Sequence, residues 1–374
     1  MKHIFFLILF ILLVQSCSNQ DYDIENIPII IDMDSVKSKS LKFSHIKYIP
    51  LETLEGCLIG SANKVLIKDN KIYVADFTNA MALFVFDIHG NFIFKISRMG
   101  QGPGEYISFD DFDIQINGDI YIFDMLSKKF LIFNSEGKFQ KNIDVDCYFL
   151  SFCVVDNKMY WAKLYESGKM FSNLAIYNMT DKNVKLLLND KKKLHDLGLM
   201  NFSSYYFYYS PESNIYYSPK FSEIIYSLDE DGIHPAIGIK NLNIPTLSKI
   251  NEWMQEKDII MRSNRIIEDN KYFIENAHIY ETDNYITIGC FTGVISKILL
   301  YNKHSKSVCY AYSSDFYGII GIDKVKGSTG KNFFGVIDVN PDNECHKQIL
   351  KTREELTNWK EDDNPVIVFF NPDM

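Results

Sequence analysis

The sequence predicts an all-β protein folded as a six-bladed β-propeller of four-stranded antiparallel blades. A short apolar strand that ends in an aromatic residue, followed by Asp, Asn or Ser, recurs six times along the chain. A tight turn and an aromatic-rich strand precede most of these copies. Aromatic residues make up 14% of the chain, which favours strands over helices. One such sheet cannot bury both of its faces, so successive units must pack side by side around an axis.

The spacing of the repeat sets the size of each blade. The aromatic positions of the six copies are separated by 47, 44, 49, 75 and 69 residues, and they are Phe86, Phe133, Tyr177, Tyr226, Tyr301 and Phe370. The turns at 87–90 and 134–137 end in Gly, which adopts the positive φ that tight hairpins require. We therefore predict four strands, joined by hairpins, in each unit.

The two ends of the chain predict how the ring closes. The sixth copy lies four residues from the C-terminus, so the last blade has only three strands of its own. The segment 46–51 precedes the first blade and alternates as a strand does. We predict that it completes the last blade and closes the ring, which leaves no free blade edge at the seam.

Two of the intervals between copies are long enough to hold insertions. The interval at about 245–270 carries Ile250 and Trp253 at helical spacing, and the charged interval at about 342–364 carries Leu350, Leu356 and Trp359. Both are expected to form short helices on one rim of the propeller. Such insertions either mark a working face or are decoration.

The N-terminus has the pattern of a bacterial lipoprotein signal. Lys2 and His3 precede the apolar run 4–14, and Cys17 follows a small residue. As a helix this run covers about 16 Å, well short of a hydrocarbon core about 30 Å thick. We expect a signal peptide over 1–16, lipidation of Cys17, a tether over 17–40 and the propeller over 41–374. An ordinary cleaved signal with a chance cysteine is the alternative.

The composition limits the classes of partner and cofactor that the protein can bind. The net charge is −9, which argues against a nucleic-acid partner because phosphate binding needs a basic surface. Six further cysteines are scattered, and buried free thiols are favoured over disulfides. The histidines show no metal-ligand spacing. The sequence predicts no catalytic residue, no metal and no cofactor.

Three segments carry a resemblance to a known family. They are Tyr48 to Thr53, Cys57 to Gly60, and Ser97 to Tyr106 with its Gly-Gln-Gly-Pro-Gly-Glu-Tyr sequence. The chain resembles the six-bladed β-propeller lipoproteins of Bacteroidota, whose blades are NHL-like. The resemblance extends from about Lys42 to the end and is strongest through Ile143. It implies the fold and a location in the cell envelope, but no catalytic residues. We expect the lipid anchor to lie in the outer membrane, with the protein facing the periplasm or the surface.

The glycine-rich segment 100–106 is the first candidate site. A phosphate-binding loop needs a helix after it, whereas the segment 112–116 alternates like a strand, and Pro103 lacks a backbone donor. Two interpretations are open. The segment is a tight connection between blades, or it presents ligand-binding groups at the channel mouth, and the candidate residues are Arg98, Gln101, Glu105 and Tyr106.

Aspartates recur at the ends of predicted strands. Their repeated positions favour hydrogen bonds from side chain to backbone in turns, and the residues are Asp76, Asp87, Asp113 and Asp124. Asp110, Asp111 and Asp113 are an alternative calcium cluster, although they lack the spacing of a calcium-binding loop.

The densest group of aromatic residues is the run 205–209, with Tyr216 and Tyr217 nearby. Alternate residues of a strand face opposite sides. Half of the run is expected to pack between blades, and the other half packs as well or forms a stacking platform for a sugar or a peptide. The candidate residues of the platform are Tyr206 and Tyr208.

Two classes of function remain open. The first is a non-catalytic binding or scaffold lipoprotein that recognises a glycan, a peptide or a protein partner on one face. The second is a propeller hydrolase or lyase with its site at the channel mouth. Fold alone does not choose between them, but converging acids, or a histidine with an acid, around a deep pocket favour the enzyme.

Overall fold

The computed structural model of the chain confirms the six-bladed propeller. The structure describes residues 23–146, 148–156, 158–166, 169–188, 206–210, 215–293, 295–322, 324–338 and 343–373. The predicted signal peptide, Cys17, Cys147 and Tyr205 lie outside the described residues. Six sheets surround one axis, and the first strands of the blades lie next to one another around it. We call these first strands the inner strands.

Three strands precede the first blade, and the later strands follow the predicted order. The N-terminal strands are β1 Ile29–Asp32, β2 Lys37–Ser38 and β3 Lys42–Pro50. Blade one contains β4 Lys64–Lys68, β5 Lys71–Asp76, β6 Ala82–Asp87 and β7 Phe92–Ile96. Blade two contains β8 Asp111–Ile114, β9 Ile120–Asp124, β10 Lys129–Phe133 and β11 Phe139–Asp144. Blade three contains β12 Ser151–Val155, β13 Lys158–Glu166, β14 Lys169–Asn178 and β15 Val184–Leu188.

The last three blades carry the N-terminal strands. Blade four contains β16 Tyr208–Tyr209, β17 Ile215–Tyr217, β18 Ile224–Leu228 and β19 Ile233–Lys240. Blade five contains β20 Phe273–Glu281, β21 Tyr285–Thr292, β22 Ile295–Asn302 and β23 Val308–Tyr312. Blade six contains β24 Gly327–Ser328, β25 Phe333–Ile337 and β26 Val366–Asp373, with β3 as its fourth strand.

The ring closes as the sequence predicts. Strand β3 pairs antiparallel with β26, so that Ile49 lies opposite Ile367 and Tyr48 opposite Val368. The buried Asn364 fastens the seam, because its amide nitrogen donates to the carbonyls of Glu52 and Cys57 at 2.8 and 2.7 Å. The first and last parts of the described chain thus share one sheet.

The folded body begins earlier than the predicted boundary at residue 41. Strand β1 pairs in parallel with β19 on the outer edge of blade four, and β2 pairs in parallel with β23 on blade five. Ile31 is 1% exposed and Val36 is 9% exposed. The segment was expected to be part of the tether. It folds because it covers the open outer edges of two blades and buries these side chains.

Both predicted insertions are helical, and one further helix is present in the described part of the chain. The helices are α1 Leu247–Trp253, α2 Ile259–Glu268, α3 Ser313–Ile320 and α4 Glu344–Thr352, with short 3-10 helices at Ile24–Asn26 and Glu354–Leu356. No described helix has the length and apolar character needed to cross a bilayer.

The helices define one face of the propeller. Because neighbouring strands of a blade are antiparallel, the connections between blades and the turns between second and third strands share one face. Helices α1, α2 and α3 lie in connections between blades, and α4 lies between β25 and β26. We call this the helix face. The opposite face carries the other hairpins, and we call it the hairpin face.

Aromatic side chains fill the spaces between neighbouring blades. Between blades two and three, a stack runs from Phe123 through Phe149 and Trp161 to Tyr177, with ring centroids 4.2, 4.8 and 4.7 Å apart. Such offset stacking adds to the stabilisation from buried area. The high aromatic content of the sequence therefore serves the contacts between blades.

Three of the four recurrent aspartates cap turns as predicted. Asp76 accepts hydrogen bonds from the backbone N–H groups of four residues, Gly60, Ser61, Thr78 and Asn79. Burial opposes its ionisation, but these donors outweigh burial and hold the pKa of Asp76 below its usual value.

Asp124 holds the next connection between blades in the same way, through the N–H groups of Ile107 and Ser108. Asp87 caps the hairpin at 87–91 by accepting from His89 and Asn91. The fourth aspartate, Asp113, has a different role that is described below.

The described cysteines are free thiols, as predicted. Four of them are buried and one is half-buried, and they are Cys57, Cys153, Cys290, Cys309 and Cys345. Burial raises the pKa of Cys57 to about 11 and that of Cys290 to about 12. These thiols act as small apolar side chains of the core.

Candidate functional site

A cavity of about 1060 Å³ opens on the hairpin face. Its inner part is a well on the propeller axis, bordered by the ends of the inner strands. Its outer part is a groove between blades six and one, which we call the slot. Lys47, Ile49, Ile88 and Asn371 line the slot, and the slot continues into the well. The cavity is therefore longer than the axial channel alone.

The wall of the well is held by lysine side chains of blade one. The Nζ of Lys64 donates to the carbonyl of Phe112 at 2.7 Å, and the Nζ of Lys68 donates to that of Ile114 at 3.0 Å. The inner edge of β8 would otherwise present unpaired carbonyls to the channel. The two lysines lie four residues apart on the same side of β4 and donate hydrogen bonds to these carbonyls.

The aspartates of β8 pair in turn with the backbone N–H groups of the inner strand of blade three. One carboxylate oxygen of Asp111 accepts from the N–H of Phe152 at 3.1 Å, and one of Asp113 accepts from the N–H of Val154 at 2.6 Å. Asp113 was predicted to cap a turn. It sits instead in an inner strand, where alternation directs both aspartates toward the next blade. Burial raises the pKa of Asp113, and the Lys64 charge opposes this shift.

Lys64 and Asp111, at the starts of their strands, close the well toward the helix face, while Lys68 and Asp113 line the cavity. We call these four side chains the axial network. The Nζ of Lys64 lies 2.8 Å from Asp111, and the two side chains are 1% and 3% exposed. The Ser151 hydroxyl donates to the second oxygen of Asp111 at 2.7 Å. Each member of the network has at least one hydrogen-bond partner.

Aromatic residues border the well on the side of blades four and five. Phe207, Tyr209 and Tyr280 line it. The Tyr209 hydroxyl lies beside the Asp113 carboxyl, and its pKa is raised by burial first and by that carboxyl second. This hydroxyl is buried and interacts with the carboxyl of Asp113.

The alternation of the aromatic run differs from the one we predicted. Tyr206 and Tyr208 are 7% and 3% exposed and neither lines the cavity. The Tyr208 ring packs edge-on against Tyr280, with centroids 5.7 Å apart. Phe207 and Tyr209 take the positions expected for the platform, because the register of β16 turns the odd-numbered residues toward the cavity.

The slot carries polar groups that have no partner. Lys47 and Lys331 are exposed, and neither has a carboxylate within 4.0 Å among the described residues. The Oγ of Ser328 and the Oδ1 of Asn371 are buried atoms without a hydrogen-bond partner in this part of the chain. Buried polar atoms are almost always hydrogen-bonded in folded proteins. Both atoms are shielded from solvent in this conformation, so the groups of the slot that a ligand can reach directly are the two exposed lysines.

The candidate residues of the glycine-rich segment lie on the helix face, away from this cavity. Arg98 and Gln101 are exposed there. The Glu105 carboxylate accepts from the N–H of Gly102 at 2.8 Å, and the buried Tyr106 donates to the carbonyl of Met81 at 2.6 Å. The segment is a tight connection between blades one and two.

The three aspartates at 110–113 bind different partners and do not form one cluster. Asp110 accepts from the N–H of Met125 at 2.8 Å, while Asp111 and Asp113 belong to the axial network. Across the described ranges, no three His, Cys, Asp or Glu side chains are grouped so as to hold a metal ion.

Comparison with known proteins places the chain in a family. The profile of the domain of unknown function DUF4934 matches residues 24–371, and the chain belongs to this family. No curated protein matches it. The family and fold predicted from the resemblance to Bacteroidota propellers are confirmed.

Two solved structures share the fold. An inferred exported protein of Bacteroides fragilis is 18% identical, with a TM-score of 0.75, and the match covers 92% of this chain and 99% of that one. A member of the DUF4221 family from Bacteroides vulgatus is 12% identical, with a TM-score of 0.57, and the match covers 89% of this chain and 98% of that one.

Sequence reasoning missed the lysines of the site. Lys47 and Lys331 are separated by 284 positions in the chain and border one cavity only because β3 closes blade six. One signal was available. Lys64 and Lys68 begin and end a strand that is otherwise apolar, and Asp111 and Asp113 alternate with apolar residues in the next blade.

Proposed function

We propose that the protein is an exported, lipid-anchored propeller of the cell envelope that binds an acidic oligosaccharide in the hairpin-face cavity without transforming it. The observation that carries the proposal is the cavity, which is lined by two exposed lysines that have no carboxylate partner among the described residues. A long open cavity suits a chain-like ligand better than a compact one. Lipidation of Cys17 and an outer-membrane location complete the proposal.

Charge supports an acidic ligand. The whole chain has a net charge of −9, yet Lys47 and Lys331 both line the cavity and have no carboxylate partner among the described residues. A local basic site on an acidic protein raises the concentration of anions at that site alone. Carboxylates of a sugar chain are suitable partners, since charge-assisted hydrogen bonds are the stronger kind.

The strand edges support a glycan over an extended peptide. A peptide that adds to a sheet needs unpaired backbone groups along a strand. On the inner strands of blades two and three these groups are bonded to the axial network, as at Phe112 and Val154. The exposed ammonium groups of Lys47 and Lys331 remain for the acidic groups of a sugar chain.

The acids of the wall support binding over catalysis. Asp113 accepts two backbone N–H groups, from Ile114 and Val154. Asp69 and Asp156 are hairpin residues with φ of 49° each. His45 lies on β3, at the outer end of the slot. General acid–base chemistry needs groups that converge on one substrate atom. These four residues lie instead on β8, on two different hairpins and on β3.

Export is supported from two directions. The sequence has a lipoprotein signal ending at Cys17, and the inferred exported protein of Bacteroides fragilis has the same fold over 92% of this chain. Isolation of the protein from its native cells, followed by mass spectrometry of the N-terminal peptide, tests the anchor. A diacylglyceryl-modified Cys17 is expected, and an unmodified N-terminus at another residue would contradict it.

The ligand is tested by titration calorimetry of the mature chain with oligosaccharides matched in length, one set carrying uronic acids and one neutral. We expect at least about tenfold tighter binding of the acidic set. Replacing both slot lysines, as Lys47→Glu with Lys331→Glu, is expected to weaken that binding by at least about tenfold. The matched control is Lys257→Glu, an exposed lysine of the helix face, which leaves binding unchanged.

Three results overturn parts of the proposal. Equal binding of neutral and acidic oligosaccharides would show that the lysines do not select the ligand. Binding of peptides or of a protein partner but not of glycans removes the ligand class. Shortened or unsaturated products in the same samples, detected by chromatography, make the protein a hydrolase or lyase and remove the non-catalytic role.

A further inference from the structure

Exposed apolar side chains of the described residues are concentrated on the helix face. Sixteen large apolar side chains are exposed, and eleven of them lie in connections between blades or in the turn between β9 and β10. Single exposed apolar side chains are ordinary, whereas their concentration on one face indicates a contact surface. The hairpin face, which carries the cavity, has few of them.

The densest group is the first turn of α2. Ile259, Ile260 and Met261 are 57%, 72% and 60% exposed. The Asp258 carboxylate caps this turn by accepting from the N–H of Met261 at 2.9 Å, and Ile266 anchors the same helix in a small core. The turn is therefore held in place while it presents three consecutive apolar side chains to solvent.

The described chain begins beside this insertion. Glu25 pairs with Lys240, the last residue of β19, and the Asn241 amide donates to Asp32 at 2.6 Å. The insertion that carries α1 and α2 starts directly after these residues. The N-terminal entry and the exposed apolar turn thus belong to the same rim of blade four.

The distance from the lipidated residue is short. Cys17 lies six residues before Asp23, the first described residue. Six residues span at most about 20 Å even when fully extended. An acylated Cys17 therefore holds the rim of blade four within about 20 Å of the bilayer. The insertion on that rim is then close enough to contact the bilayer.

We infer that the first turn of α2 inserts into the phospholipid surface that carries the anchor, so that the cavity faces away from the membrane. This inference rests on the lipid anchor of the proposed function and is independent of the ligand. A protein interface buries about 800 Å² per partner, so it would have to include the other exposed apolar side chains of the helix face, which are dispersed over several connections. The three side chains of the turn suffice for a tethered body, because stable membrane attachment needs only a second weak contact. The exposed Lys257 beside the turn suits anionic headgroups, while Arg265 pairs with Glu256 at 3.9 Å.

The test attaches the body to vesicles without relying on natural acylation. The mature chain from residue 17 carries Cys17→Ser and an N-terminal polyhistidine tag, and the vesicles contain phosphatidylethanolamine, phosphatidylglycerol and a nickel-chelating lipid. An environment-sensitive fluorophore is placed at Ile260→Cys, with Ile116→Cys as the matched control. Ile116 is 69% exposed on the hairpin face, against 72% for Ile260. The chain without an added cysteine gives the background from native thiols.

The expected result is a blue shift and quenching by spin-labelled lipid at position 260 and neither at position 116. A second variant, Met261→Asp with the label at 260, is expected to lose at least half of the quenching. Equal quenching at both positions, or none at either with the protein bound to the vesicles, overturns the inference. A blue shift at 260 that grows with protein concentration without vesicles identifies self-association and overturns it too. Failure of natural acylation leaves this result unchanged and is detected separately by mass spectrometry.

Discussion

The two faces of the propeller use lysine for opposite purposes. Toward the helix face, Lys64 and Asp111 are buried and pair at 2.8 Å, and Ser151 donates to Asp111. In the hairpin-face cavity, Lys47 and Lys331 are exposed and have no carboxylate partner among the described residues. We call the paired side of the ring the closed end and the cavity side the open end.

In this fold, a charged side chain with an ion-pair partner stabilises the structure, whereas an exposed one without a partner is available for binding. A buried charge is tolerated only when it is paired, because an uncompensated charge in the interior is costly. An exposed lysine without a partner costs the fold little and is available to a ligand. Substitutions at the closed end are therefore expected to change stability, and those at the open end to change binding.

The largest effect is expected from Lys64→Met. It leaves the buried Asp111 without its counter-ion, and breaking a buried ion pair in this way costs about 3–5 kcal/mol. Chemical denaturation measures the loss. The double variant Lys64→Met with Asp111→Asn is expected to recover part of it. A loss below about 1 kcal/mol for Lys64→Met would mean that the closed end is not a structural centre.

A smaller effect is expected from Asp76→Asn on the same side of the ring. Each carboxylate oxygen of Asp76 accepts two backbone N–H groups, and an amide leaves two of them unpaired. The expected loss of unfolding free energy is about 2–3 kcal/mol at pH 7.

The pH dependence of Asp76→Asn sharpens the same test. The folded pKa of Asp76 is lowered, so its contribution is present above the unfolded value of about 3.9 and is lost as pH falls through the folded value. The difference between wild type and variant is therefore expected to shrink below about pH 4. A difference that is constant from pH 7 to pH 3 contradicts this account.

A comparable effect is expected from the pH titration of His278 on the inner strand of blade five. Burial first, and the charges of Lys324 and Lys326 second, lower its pKa to about 3. The unfolded chain binds a proton at about pH 6.5, so the wild type is expected to lose about 2 kcal/mol between pH 7 and pH 5. His278→Gln, which does not titrate, lacks this loss in the same denaturation series. Parallel curves for the two proteins would mean that His278 is protonated in the fold.

The smallest effect on stability is expected at the open end. Lys47→Met and Lys331→Met are expected to change the unfolding free energy by less than about 0.5 kcal/mol, as surface substitutions usually do. Differential scanning calorimetry against wild type measures this. A loss comparable to that of Lys64→Met would erase the distinction between the two ends.

The sequence predicts the fold well because the fold is periodic. The spacing from Phe86 to Phe370 reports each blade, and counting the strands of the last copy is enough to predict that Ile46 to Leu51 closes the ring. The strands β1 and β2 escape this reasoning. They pair in parallel at outer edges and belong to no repeat, so only their burial, as at Ile31, reveals them.

The candidate site is harder to predict for two physical reasons. Lys47 and Lys331 border one cavity only through ring closure, which local patterns do not contain. The choice between Tyr208 and Tyr209 depends on strand register, and a shift of one residue exchanges the two faces. Charge in an otherwise apolar inner strand, as at Lys64, is the signal that sequence reasoning can use in related chains.

Hydrogen–deuterium exchange of the mature chain, with and without an acidic oligosaccharide, tests most directly whether the open end is the binding site. We predict slower exchange in the hairpins at 68–71 and 328–332, which border the cavity, and unchanged exchange at 98–106 and 259–268 on the helix face. Protection confined to 98–106, with none at the two hairpins, would contradict the account.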